Sequence, residues 1–110
     1  MIGGKRNMLF VCSANQQRSP TAEQLYRDDS RFAVRSAGTS PPANQPVTEP
    51  LLEWADLVVV MEEHHAQTIR ERFPVASRNV RLVVLGIPDI YSYMDPSLQR
   101  QIRERVDQKV

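Results

Sequence analysis

The sequence predicts an α/β protein, a three-layer α/β/α arrangement around a four-stranded parallel sheet. Three observations lead there. Apolar runs at 8–12, 57–61 and 82–85 recur without polar alternation, as strands buried on both faces do. Segments with helix start and stop signals separate the strands, so consecutive strands are joined by crossovers and lie parallel. The 110 residues, 41% of them hydrophobic, hold enough apolar material for one core. No internal repeat or dividing linker breaks the chain, so one domain over residues 1–110 is expected.

Each element follows in order. Residues 8–12 are too short for a helix and read as the first, buried strand. Ser19 suits a helix cap, Pro20 the first helical position and Glu23 the positive end of the dipole. Ala22, Leu25 and Tyr26 then line one face. Residues 32–36 form a second strand, stopped by Ala37-Gly38. Residues 40–50 carry four prolines and read as loop, with a short helix over about 48–54 that turns Leu51, Leu52 and Trp54 inward. The third strand, 56–61, has a β-branched centre. A helix over 62–73 begins with acids, has Arg70 and Arg72 near its end, and meets Pro74. Residues 80–85 make the fourth strand. Residues 95–109 form a charged surface helix with Leu98, Ile102 and Val106 on one face.

Composition narrows the function. A net charge of +1 argues against a nucleic-acid footprint. No apolar run approaches the roughly 20 residues that span a bilayer, and the N-terminal MIGGKRN lacks the apolar region of a signal peptide. A single cysteine forms no internal disulfide, which suits a reducing, cytoplasmic setting. Monomer is the default state. Gly3-Gly4-Lys5 lacks a nucleotide-loop pattern. Adjacent His64 and His65 lack the i, i+4 spacing of a zinc helix, so Glu62-Glu63-His64-His65 reads as a solvated helix start and no metal is expected.

The chemistry concentrates at the end of the first strand. In such sheets ligands bind at the carboxyl ends of strands, where Cys12 and Pro88-Asp89 both fall. Five residues separate Cys12 from Arg18, enough to wrap a small anion. The backbone amides of Ser13, Ala14, Asn15, Gln16, Gln17 and Arg18 can point into that concavity, backed by the positive end of the following helix. Arg18 adds a planar fork matching two oxyanion oxygens. The same dipoles favour a thiolate, and Ser19 can donate to it. A nucleophile beneath a bound electrophile is the arrangement covalent catalysis requires.

VCSANQQRSPTAE, residues 11–23, resembles the phosphate loop of the low-molecular-weight protein tyrosine phosphatases, C-x5-R-S-P before a helix. Further matches follow in order: VRSAGT at 34–39, EWADLVVVM at 53–61, RFP at 72–74 and IPDIY at 87–91. The resemblance implies a phosphomonoesterase working through a phosphocysteine on Cys12, stabilised by Arg18 and the loop, without a cofactor. It also implies an aspartic general acid. Asp89 matches the family's Pro-Asp-Pro-Tyr position, with Asp95-Pro96 as competitor, and Tyr91 stands where the family has an aromatic wall; Tyr93 is a weaker match. The implied substrate is a phosphotyrosine protein or a small aryl phosphate.

The chain departs from the family pattern in three places. Ala14 replaces a usual glycine, Gln17 replaces a second cysteine that would guard Cys12 against over-oxidation, and the 40–53 crossing is short, as is the C-terminus. Asn15 tolerates left-handed backbone angles where Ala14 does not. Two other functions fit the same loop: an arsenate reductase using an external thiol, and an inactive phosphate-binding module.

Overall fold

The computed structural model describes residues 4–110; the readings of MIGGKRN and of Gly3-Gly4-Lys5 lie partly outside the described residues. Four strands, β1 (Arg6–Cys12), β2 (Phe32–Gly38), β3 (Leu57–Val60) and β4 (Arg81–Val84), form one sheet. Their order is β2-β1-β3-β4 and all pairings are parallel. Four helices, α1 (Arg18–Tyr26), α2 (Glu49–Trp54), α3 (Glu63–Arg72) and α4 (Pro96–Lys109), cover it. A short 3-10 turn, Ala76–Asn79, was not foreseen.

Side-chain alternation along the central strands builds two cores. Met8, Phe10, Cys12, Leu57, Val59 and Met61 face α1 and α4, meeting Ala22, Tyr26, Leu98, Ile102 and Val106. Leu9, Val11, Val58 and Val60 face the other way, onto Leu51 and Leu52 of α2 and Ala66 and Ile69 of α3. The continuous apolar character of β1 and β3 follows from having a helical layer on each side. Trp54 sits at the margin of the second core, with the Arg35 guanidinium 4.5 Å from its ring centre.

Several boundaries move for physical reasons. β1 starts at Arg6 because Arg6 and Asn7 pair with Phe32 and Ala33. β2 runs through Ala37 and Gly38, which the sequence marks as its stop, because they pair with Val11 and Cys12. Helix α1 begins one residue before Ser19: Gln17 is the cap residue, without a side-chain cap bond, and Ser19 lies inside the helix. By contrast, Thr48 caps α2 by accepting from the Leu51 amide, and Asp95 caps α4.

The sheet order places the topological switch between β1 and β3. From β1 the chain moves outward to β2, then crosses to β3 and outward again to β4. The carboxyl ends of β1 and β3 therefore face one crevice, the place such sheets reserve for ligands. Cys12 ends β1 there, and Glu62 follows β3 there.

Gly38 keeps the end of β2 against the loop that follows β1. A methyl group on it would lie 2.4 Å from the Ser13 carbonyl oxygen and 3.0 Å from the Asn15 amide nitrogen. Both obstacles are backbone, so neither swings aside. Gly38→Ala is expected to lower the unfolding free energy by about 1–3 kcal/mol, read from a urea titration; wild-type stability would contradict this packing.

Candidate oxyanion site

The loop over residues 13–17 is held by its carbonyls. The Cys12 carbonyl accepts from the Thr39 amide at 3.0 Å, that of Ser13 from Ser40 at 3.0 Å, and that of Ala14 from Asn44 at 3.2 Å. The Asn44 side-chain amide donates to the Asn15 carbonyl at 2.8 Å. Four consecutive carbonyls thus point at the 39–44 segment. Among the described residues, none of the backbone amides of Ser13, Ala14, Asn15, Gln16 and Gln17 donates to a backbone or side-chain acceptor. A curved row of amides with no internal acceptor has the geometry that suits an anion.

Asn15 closes the curve. Its φ of 55° is left-handed, whereas Ala14 has no positive φ. Alanine is therefore accommodated without strain, and asparagine occupies the position its short polar side chain tolerates. The buried Asn15 side-chain amide donates to the Ser19 and Ser36 hydroxyls, each at 2.9 Å. Ser36 in turn donates to Glu23 at 2.5 Å, so Glu23 serves this network rather than the first turn of α1.

Cys12 is buried and unpaired as a disulfide, with Sγ 3.0 Å from the Ser19 hydroxyl. Arg18 is 2% exposed. Its Nη1 donates to Glu62 Oε2 at 2.6 Å and to the Ile87 carbonyl at 2.8 Å. A buried guanidinium without a partner costs about 3–5 kcal/mol, so Glu62 is required as its counter-charge. The hydrogen bond from Arg18 holds the Glu62 carboxyl below its usual range, against partial burial and helped by His64. With Nη1 committed and Nε 3.7 Å from Asp89, Nη2 is the nitrogen without a hydrogen-bond partner among the described residues.

Asp89 stands on the far side of Arg18, its Oδ1 3.7 Å from Nε, and is 58% exposed. The competing Asp95 is occupied otherwise: its Oδ1 accepts from the Ser97 amide at 2.8 Å and the Leu98 amide at 3.4 Å as the α4 cap. The segment between them is fastened to α1, where the Met94 amide donates to the Thr21 hydroxyl at 2.9 Å. Tyr91 packs against the first core and its hydroxyl accepts from Gln101, while Tyr93 is largely exposed.

The solvated helix start expected at 62–65 is half wrong. His64 is exposed, but His65 is fully buried and its Nε2 lies 2.9 Å from the Ser13 hydroxyl. Glu62 and His65 form a reciprocal capping box on α3. Ligand atoms of Glu62, His64 and His65 lie within 4.8 Å of one another, yet Glu62 is taken by Arg18 and both ring nitrogens of His65 have protein partners. Sequence reasoning also missed Gly38, Ser36 and Asn44. The Glu-x-x-His spacing after a strand was the available signal for the capping box.

These features define a class: a doubly wound α/β protein with a cysteine-headed loop of unpaired amides between its first strand and first helix. The comparisons narrow it. The protein-arginine-phosphatase of Bacillus subtilis (strain 168) is 33% identical over 94 residues, a match covering 61% of this chain and 63% of that protein. The chain therefore spans less than two thirds of this curated relative's length. A YwlE mutant from Bacillus subtilis has a TM-score of 0.69 at 25% identity, covering 94% of this chain and 98% of that one. The tyrosine phosphatase Wzb from Escherichia coli K30, in complex with phosphate, has the same fold, with a TM-score of 0.74 at 23% identity over 96% of each chain. No protein-family model matches. The chain is thus similar in sequence to a protein-arginine-phosphatase and shares its fold with the tyrosine phosphatase Wzb.

Two expectations follow from the geometry. Removing the α4 cap by Asp95→Ala lowers stability by about 1 kcal/mol, measurable in urea; no change would contradict the cap. Burial, with the His64 and Arg18 charges adding, pushes His65 down to about 4. A depressed folded-state pKa means that protons bind the unfolded chain first. Stability carried by His65 is thus present above about pH 6.5 and is lost as the pH falls toward about 4. His65→Gln removes this part of the pH dependence of unfolding, and an unaltered profile would show that His65 does not carry it.

Proposed function

We propose that the protein is a phosphatase acting through a phosphocysteine on Cys12. The observation that carries this reading is the alignment in one crevice of a buried thiol, a row of inward amides and the Arg18 fork. A phosphoryl group bound by the amides and Arg18 has its phosphorus over Sγ. The Cys12 thiolate attacks, forming an S–P bond as the P–O bond to the leaving group breaks. Asp89, exposed beside Arg18, gives its proton to the departing oxygen. Its carboxylate then takes a proton from water as that water attacks phosphorus, releasing phosphate and restoring the thiolate, which Ser19 stabilises as a leaving group. The loop and Arg18 act by matching the charge that builds on the equatorial oxygens. Asp95 is the less favoured acid, because its Oδ1 accepts from the Ser97 and Leu98 amides as the α4 cap.

The substrate is a phosphorylated side chain or a small phosphorylated molecule. An aryl phosphate suits Tyr91 as a wall, while the name of the curated relative, a protein-arginine-phosphatase, favours phosphorylated arginine as a second class. A reductase cycle has less support, because Cys12 is the sole cysteine and any adduct on it would need an external thiol. No helix among the described residues is long and apolar enough to cross a membrane. We read the protein as cytoplasmic, where a lone nucleophilic thiol stays reduced, and as a monomer.

Kinetics with p-nitrophenyl phosphate and with a phosphoarginine peptide test the proposal. Cys12→Ser abolishes turnover of either substrate, and Asp89→Asn slows it by roughly 10²–10⁴-fold. Asp95→Asn leaves it near wild type. A larger loss in Asp95→Asn than in Asp89→Asn would overturn the acid assignment, and full activity in Cys12→Ser would overturn the mechanism.

A further inference from the structure

The first turn of α3 touches both ends of the loop, and its hydrogen-bond directions are fixed. The backbone amide of Glu62 donates to His65 Nδ1 at 3.0 Å, so Nδ1 carries no proton. A neutral ring then holds its proton on Nε2 and donates to the Ser13 hydroxyl at 2.9 Å. Ser13 Oγ becomes an acceptor from below, which leaves its own proton for a group in the loop; no other side-chain partner of Ser13 occurs among the described residues. At the other end, the Glu62 carboxylate holds Arg18 Nη1. The capping box makes these two contacts one unit, since Glu62 and His65 lock each other's orientation.

We propose that Glu62 and His65 are positioning residues for the oxyanion loop, with His65 directing the Ser13 hydroxyl as a side-chain donor to the bound phosphoryl group. This rests on the phosphatase reading above and adds a donor to the backbone amides. His65 is fully buried and touches no reacting atom; its effect passes through Ser13. The arrangement explains why a polar side chain stands next to the nucleophile, at the half-buried second position of the loop. A proton on Nδ1 would reverse the chain of donors and force Ser13 to donate to the ring.

Vanadate affinity, measured by competition and by calorimetry on the whole protein, is the main readout. Ser13→Ala and His65→Asn are each expected to weaken vanadate binding by roughly 5–50-fold, within the range of coupled neighbours. The double variant should bind no worse than the weaker single variant. Ser13→Thr keeps the hydroxyl and should restore most of the affinity. Additive losses, wild-type affinity in Ser13→Ala, or failure of Ser13→Thr to rescue would overturn the proposal. If His65→Asn does not fold, ring nitrogen chemical shifts of the wild type decide. A proton on Nε2 supports the proposal, and one on Nδ1 overturns it. Wild type that binds vanadate but hydrolyses neither substrate would defeat the phosphatase reading alone, leaving these binding tests in force.

Discussion

Four carbonyls pointing the same way organise this protein. Cys12, Ser13, Ala14 and Asn15 each give their carbonyl to the 39–44 segment, and a peptide whose carbonyl is fixed outward has its amide fixed inward. The concavity is thus a by-product of pairing the loop to the chain that leaves β2. It depends on β1 and β2 lying side by side in register, Cys12 opposite Gly38, and on Gly38 having no side chain. An orphaned amide is costly in a dry interior, whereas at a crevice it is a ligand site.

The electrostatics follow from the sheet order. Because the winding of the sheet reverses between the parallel neighbours β1 and β3, the loop after one and the helix start after the other share a crevice. Arg18 reaches across it to Glu62, Ser13 to His65, and the segment after β4 closes the third side through Ile87 and Asp89. A buried guanidinium is tolerated only because a carboxylate and a carbonyl meet one of its nitrogens, which also fixes the edge it presents. Binding geometry and stability therefore share the same contacts.

Much of this was legible in the sequence. Apolar runs and helix signals give the parallel α/β fold because they are local or nearly so, and the Cys-to-Arg spacing gives the loop because it is contiguous. The tolerance of Asn15 for left-handed angles was also readable, and its φ of 55° agrees. Ser19 was misread as a cap, since its hydroxyl is drawn to Cys12 and Asn15 instead. His65 was misread as solvated because burial of one helical histidine depends on what the next layer places over it. Gly38 looked like a stop, and its need for close approach appears only when two strand ends meet. Contacts between residues far apart in sequence, such as Ser13 with His65 at 52 residues and Asn15 with Asn44 at 29, leave no local signature.

The proposed mechanism turns on covalent phosphorylation of Cys12 during turnover. The most direct measurement is acid quenching of the Asp89→Asn variant during reaction with p-nitrophenyl phosphate, followed by peptide mass spectrometry. One phosphoryl group is expected on the peptide carrying Cys12, appearing with a burst of nitrophenol and absent in Cys12→Ser. Turnover with no adduct on Cys12, or with the phosphoryl group on another residue, would contradict it.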